Sequence, residues 1–484
     1  MNSSLYDSFQ QIRQNIRMYN RDEIAFHNND EEEEEFVEDD INEIQKKFLS
    51  LLNDFPSENI ECLYGQLINF YILLRKIYYF DFPPSSLQFI KESNFHDSIF
   101  SLMMNPALDP ISQFTLIMIF RYLTLNIFSP ETLTIFNNEL FLDRLLYFLK
   151  LEDKHSEISL ECLWAIINII QFCPNSFFFF DKSGITQYVA TKMINSKEFK
   201  ILCAATRYIL LITQRTPDPN LKKALLNQSI LKLIDTKDTH PLTFLLQTVL
   251  LCMSEDSNIR ILLVEENICE KCVDIIIMMK KITKFSQYYG DYAVKILSLI
   301  ANEGNEHEFQ ILLQSNVFEA FFNFSYSFFD ISPLVHVDVD TYEYTCNFLY
   351  GIFCKATPLA NQLLNQYEII PQIINVYLKG PEKKKMCSLS IITSVVELHN
   401  MEVCQYILKN EIISAILEML SSLSPEMLKI TILLLQKILS LMPKAKDIYI
   451  QNDMIPKLES LIFQEDLGDD SYIIETLLSS VHDD

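Results

Sequence analysis

The stretch Glu411-Ile412-Ile413-Ser414-Ala415-Ile416-Leu417-Glu418-Met419-Leu420 decides the fold. From Ile412, the apolar residues Ile416, Leu417 and Leu420 keep the period of one face of an amphipathic helix. A small or polar residue followed by a β-branched or aromatic one opens the stripe. Working outward, the same opening recurs at Asn94-Phe95, Leu140-Phe141, Gly184-Ile185, Ser229-Ile230, Asn267-Ile268, Asn316-Val317, Glu368-Ile369 and Asp453-Met454. Leu140 and Met454 depart from the residue types. The gaps between the nine openings are 46, 44, 45, 38, 49, 52, 43 and 42 residues.

A second apolar helix precedes most openings at a steadier distance. Met118, Trp164, Arg207, Leu246, Lys295, Asn347 and Ser390 form one column, and the apolar residue of the next pair follows each by 23, 21, 23, 22, 22, 22 and 22 residues. Armadillo and HEAT units run about 40–47 residues and bury their faces on neighbouring copies. The pattern predicts an all-α fold, a right-handed α-solenoid of about nine to ten armadillo-type repeats. The solenoid is expected over 41–465, after an acidic arm at 1–40 and before an acidic tail at 466–484 that can form a short capping helix. Glu58–Tyr79 reads as the first long helix, ended by Pro83-Pro84.

A chain of 484 residues, 49% hydrophobic, exceeds an ordinary single core and favours growth in one dimension. Its 7 glycines lie too far apart to build a phosphate-cradling loop, which argues against nucleotide-binding α/β folds. The formal net charge is −25, and residues 22–40 hold eleven acids with no Lys or Arg. Such a field repels nucleic acid and anionic membranes and attracts basic peptides. No uninterrupted apolar run reaches membrane-spanning length. Eleven scattered cysteines and no signal-peptide pattern lead us to expect a reducing compartment.

The segment Glu161-Cys162-Leu163-Trp164-Ala165-Ile166-Ile167-Asn168-Ile169 resembles the Trp-Ala-x-x-Asn helix of importin-α adaptors. Pro83-Pro84 through Phe95-His96-Asp97, Gln113-Phe114 with Met118 and Tyr122, and Met454–Glu459 are similar to other parts of that family's repeats. The likeness spans about residues 60–465. It implies an adaptor that holds an extended basic nuclear-localisation peptide in a concave groove, works with an importin-β-like carrier, and resides in cytoplasm and nucleus. In the family, Asn amides bond the peptide backbone, Trp faces flank its Lys and Arg stems, and nearby acids bind the cationic heads. The resemblance makes Trp164, Asn168, Glu161, Asn347, Ser390 and Ser394 the candidate peptide-binding residues. Only Trp164 and Asn168 form a complete pair. The other rows read Met118/Tyr122, Arg207/Leu211, Leu246/Leu250, Lys295/Leu299, Asn347/Gly351 and Ser390/Ser394, and Arg207 and Lys295 would repel basic cargo. A diverged armadillo scaffold for protein–protein interaction, without nuclear-signal recognition, is the alternative.

From the residues alone, Trp164 and Asn168 can be core or groove, and Glu161 groove charge or solvated helix. Arg13, Arg17 and Arg21 lie four apart, either a weak carrier-binding arm or a solvated tail. Cys269 and Cys272 form a lone CxxC without a second zinc-type pair, so they read as buried helix cysteines. His336, Asp338 and Asp340 read as a loop. Phe177–Phe180 reads as packing between repeats. No motif calls for catalysis, a metal or a cofactor, and the chain is not expected to be an enzyme.

Overall fold

In the computed structural model, residues 41–57, 59–79, 88–126, 138–235, 239–279, 287–322, 339–355, 357–462 and 471–482 are described. Arg13, Arg17, Arg21, Pro83, Pro84, His336 and Asp338 lie outside them, as does the side chain of Asp340. The contacts divide the chain into two compact units, one ending at Ile169 and one beginning at Ile170. Every regular element among the described residues is helical.

The first unit carries α1 (Ile41–Leu52), α2 (Ile60–Tyr79), α3 (Gln88–Glu92), α4 (Phe95–Met103), α5 (Pro110–Asn126), α6 (Glu139–Leu149) and the start of α7 (Ser156–Phe172). Its core is aromatic at one end. Phe48 meets Phe70, Phe89 and Phe95 edge-on at centroid distances of 5.1, 5.3 and 5.0 Å, the geometry that ring quadrupoles favour.

The second unit runs through α8 (Phe177–Lys182), α9 (Ile185–Thr191), α10 (Phe199–Arg215), α11 (Pro219–Asp235), α12 (Thr239–Glu255), α13 (Ser257–Glu265), α14 (Ile268–Met279) and α15 (Gln287–Glu303). It continues with α16 (Glu306–Gln314), α17 (Val317–Phe322), α18 (Val339–Lys355), α19 (Pro358–Gln366), α20 (Ile369–Lys379), α21 (Glu382–Glu397), α22 (Met401–Ile407) and α23 (Asn410–Met419). Last come α24 (Pro425–Leu441), α25 (Ala445–Gln451), α26 (Met454–Ile462) and α27 (Ser471–His482). Triplets such as α19–α20–α21 and α22–α23–α24 are two shorter helices followed by a long one, the three-helix form of an armadillo unit. Long helices pack on long helices: α10 on α12, α12 on α15, α15 on α18, α18 on α21 and α21 on α24. α27 lies against α24 and α26 and buries Ile473, Ile474, Leu477 and Val481.

The openings read from the sequence have a physical cause. Asn94, Gly184, Asn267, Asn316, Glu368 and Asp453 all take positive φ, between 49° and 80°. Each stands immediately before a helix that starts with its paired residue. A left-handed residue turns the chain sharply, and Gly, Asn and Asp reach that conformation at least cost. The residue after the elbow then drops into the core: Phe95, Ile185, Val317, Ile369 and Met454 are fully buried. Three openings differ. Ser229-Ile230 lies inside the uninterrupted α11. α6 begins at Glu139, capped by Asn138, whose side chain accepts from the Leu140 and Phe141 amides. α23 begins at Asn410, one residue ahead of the pair, and Ile413 rather than Ile412 is the fully buried residue.

Candidate functional site

The seven column residues each fall on a different long helix. Met118, Trp164, Arg207, Lys295, Asn347 and Ser390 are the ninth residue of α5, α7, α10, α15, α18 and α21, and Leu246 is the eighth of α12. Leu433, ninth in α24, continues the column. It was hidden in the sequence by the apolar run Ile430–Met442, where every register looks hydrophobic.

In the first unit, α5 engages the candidate residues of α7. Arg121 Nη1 donates to Glu161 Oε2 at 2.7 Å. The pair is largely withdrawn from solvent, with the Glu161 side chain 7% and Arg121 16% exposed. The same guanidinium carbon stands 5.8 Å from the centre of the Trp164 ring, within cation–π range. One turn along, Asn168 Nδ2 donates to Thr124 Oγ1 at 3.2 Å, and Thr124 Oγ1 donates to the Arg121 carbonyl at 2.6 Å. Asn168 is buried and Trp164 is half-buried. Thus Glu161, Trp164 and Asn168 are brought together, and each meets a residue of α5. The negative charge of Glu161 is balanced inside the protein. Burial, aided by nearby Tyr71, pushes the Tyr122 phenol above its ordinary range, so Tyr122 adds no charge to the row.

The second unit has two kinds of row. Arg207 Nη2 donates to Gln171 Oε1 at 3.3 Å, and its guanidinium stands 5.5 Å from the Phe244 ring of α12. Lys295 Nζ lies 4.8 Å from the Tyr292 ring and 4.2 Å from Tyr344 of α18. These cations cover aromatic faces of their own chain. Leu246 between them is fully buried. Farther on the column opens. Asn347 and Ser390 are exposed, Ser394 is half-buried, and Leu433 and Tyr350 are 41% and 37% exposed. Gly351 is buried where α18 approaches α15, and Asn302 Nδ2 of α15 donates to the Asn347 carbonyl at 2.9 Å. The Asn347 side-chain amide stays on the surface.

Sequence reasoning missed Arg121 and Thr124. Comparing one position across repeats finds a column, but the partners of Trp164 and Asn168 lie in the preceding repeat, 43 and 44 residues back. Cys269 and Cys272 are fully buried on α14, as read from the sequence. Burial pushes the Cys269 thiol up to about 12 and the Cys272 thiol well above its usual value, the state of inert core cysteines. Phe177 and Phe180 are buried and Phe178 is 54% exposed, so packing takes two of that run. Among the described residues no helix is long and apolar enough to cross a membrane.

This fold is similar to known structures. An engineered protein solved by the Northeast Structural Genomics Consortium gives a TM-score of 0.63 at 14% identity, covering 90% of this chain and 99% of that one. A structure of Uso1-2 gives 0.55 at 11% identity, covering 92% and 86%. A designed armadillo repeat protein gives 0.41 at 13% identity over 52% of this chain and 99% of that one, too low to weigh. At such identities the likeness establishes the fold alone. No protein-family model and no curated protein matches the sequence. The fold is all-α, a solenoid of armadillo-type repeats.

Proposed function

We propose that this chain is a protein-binding scaffold whose partner lies on the open face of α18, α21 and α24. One observation carries the reading. Asn347, Ser390 and Leu433 occupy the same position of three adjacent long helices and are all exposed, beside Tyr350. Small and polar side chains there leave room for a partner, and Leu433 and Tyr350 offer apolar area for it to bury. Selection of a displayed peptide library against the full chain tests this. Selected binders should lose affinity on Ser390→Arg or Leu433→Asp. Binders indifferent to both substitutions would overturn the assignment of this face.

The importin-α-like role is a second reading, favoured by Trp164 and Glu161 on one helix face and by the net charge of −25. It would make the partners basic cargo segments and an importin-β-like carrier, with residence in cytoplasm and nucleus. The internal partners of Glu161 and Asn168 weigh against it. Fluorescence anisotropy with a labelled nuclear-signal peptide separates the readings. Salt-sensitive binding lost in Trp164→Ala/Asn168→Ala would favour the adaptor, and no binding would leave the scaffold.

A further inference from the structure

Away from the long helices, α19 and α20 of one repeat and α22 of the next line a cavity of about 330 Å³. That volume lies at the small end of the range for ligand sites, which combine apolar walls with a few polar groups. Leu364, Ile370 and Pro371 supply the apolar wall. Two carboxylates, Glu368 and Glu402, and one ammonium, Lys409, line the same cavity. Among the described residues neither carboxylate forms an ion pair or accepts a hydrogen bond. Lys409 Nζ stands 4.1 Å from the centre of the Tyr406 ring, not on either acid. Burial, with Glu411 and Glu368 adding to it, raises the Tyr406 phenol, so that group stays neutral. Charges of both signs that do not neutralise each other remain available to a ligand. Glu368 also reaches this wall from a left-handed elbow, φ 49°, where Asn267 and Asn316 serve at the equivalent turns. Strain retained at a cavity points to use of the side chain.

We propose that this cavity binds a free α-amino acid with an aliphatic side chain, leucine being the type. The ammonium of the ligand pairs with Glu368 and Glu402, its carboxylate takes Lys409, and its side chain covers Leu364, Ile370 and Pro371. Each charged contact is a charge-assisted hydrogen bond, about twice as strong as a neutral one. A purely cationic ligand meets Lys409 as a like charge, and a purely anionic one meets two carboxylates. The cavity therefore selects a small molecule that carries both charges. It shares no residue with the face of Asn347, Ser390 and Leu433, so it stands apart from the scaffold reading.

Saturation-transfer NMR on the full chain tests this with four probes: L-leucine, leucinamide, N-acetyl-leucine and glycine. Leucine should give a saturable signal below about 10 mM. Leucinamide lacks the carboxylate, N-acetyl-leucine the ammonium and glycine the side chain, and each should bind at least about tenfold more weakly. Lys409→Met should bring leucine down to the level of leucinamide, and Glu402→Gln should weaken leucine about tenfold. Both side chains are exposed, so the variants keep the fold. No saturable signal from leucine, or leucine binding indifferent to both substitutions, would overturn the assignment. Leucinamide binding as tightly as leucine would overturn it too, leaving a plain cation site. None of these results bears on the peptide selection at Ser390 and Leu433, so the two readings fail separately.

Discussion

Arg260 Nε of α13 donates to Glu308 Oε1 of α16 at 2.9 Å, joining residues 48 apart in the sequence. The Glu308 side chain is 1% exposed and Arg260 9%. Arg260 Nη2 also donates to the Glu303 carbonyl at 2.9 Å at the end of α15, so one guanidinium ties three helices. Glu308 Oε2 accepts from the Asn305 amide at 2.7 Å, completing a capping box. Breaking a buried pair from one side leaves an uncompensated charge, which costs roughly 3–5 kcal/mol. Arg260→Met should therefore lower stability by that order in urea unfolding. Arg260→Met/Glu308→Met should cost less than the single change, apart from the lost cap of about 1 kcal/mol. A single-mutant loss below about 1 kcal/mol would show that the pair bears little weight.

The elbows give a prediction of opposite sign. Glu368 takes φ 49°, where Asn267 and Asn316 occupy the equivalent turn at 64° and 58°. A left-handed Glu is strained by about 1 kcal/mol relative to residues that tolerate that region. Glu368→Asn should raise the urea midpoint by an amount equivalent to about 0.5–1 kcal/mol. Asn316→Val should lower it by at least as much, because a β-branched side chain resists positive φ. A neutral result for both would mean the elbow relaxes to another turn.

Those elbows explain how much the sequence disclosed. Gly184, Asn267 and Asn316 are residue types that announce a left-handed turn, and Ile185, Ile268 and Val317 after them announce burial. The repeat and its long helices were therefore legible, and the column residues landed at one helix position, Leu246 alone falling one residue short of it. Ser229-Ile230 misled because the same residue types fit the middle of a helix. The site was less legible for a different reason. Arg121 and Thr124 act on Trp164 and Asn168 through space between repeats, and no local pattern marks a side chain that reaches its neighbour. The resemblance supplied Trp164, Glu161 and Asn168 but not their internal partners.

Two glycines on long helices separate packing from propensity. A Cβ at Gly351 would stand 2.7 Å from the Ala301 carbonyl carbon and 2.8 Å from its oxygen, both backbone atoms of α15. The close approach of α15 and α18 depends on that missing atom. Gly351→Ala should cost about 1–3 kcal/mol, the usual range for overpacking. A Cβ at Gly65 in α2 meets nothing within 4 Å. Gly65→Ala should stabilise by about 0.5–1 kcal/mol through helix propensity. Thermal unfolding of both variants checks the pair. Similar effects at the two positions would contradict the packing described between α15 and α18.

Buried thiols and phenols give a prediction for stability at alkaline pH. Burial, with Glu270 and Glu308 adding to it, pushes Cys269 from its ordinary value of 9.0 to about 12, and burial with Glu255 pushes Cys252 to about 12. Burial also raises Cys162 and Cys272, and the phenols of Tyr208, Tyr377 and Tyr449. Each group is neutral when protonated, and its folded value lies above its unfolded one. The unfolded chain therefore releases protons first as pH rises; the stability that Cys269 and Cys252 contribute is complete below pH 9.0 and lost between there and about 12, and the phenols' share is lost only above their ordinary 10.0. Urea midpoints should be level from about pH 7 to 8.5 and fall steadily above about pH 9. Cys269→Ala should flatten part of that fall. Ellman's reagent gives an independent reading at neutral pH. Cys62 and Cys354 are exposed and should react promptly, whereas the buried Cys162, Cys269 and Cys272 should react only on unfolding. Prompt reaction of Cys269 or Cys272 in the folded chain would contradict the burial of α14.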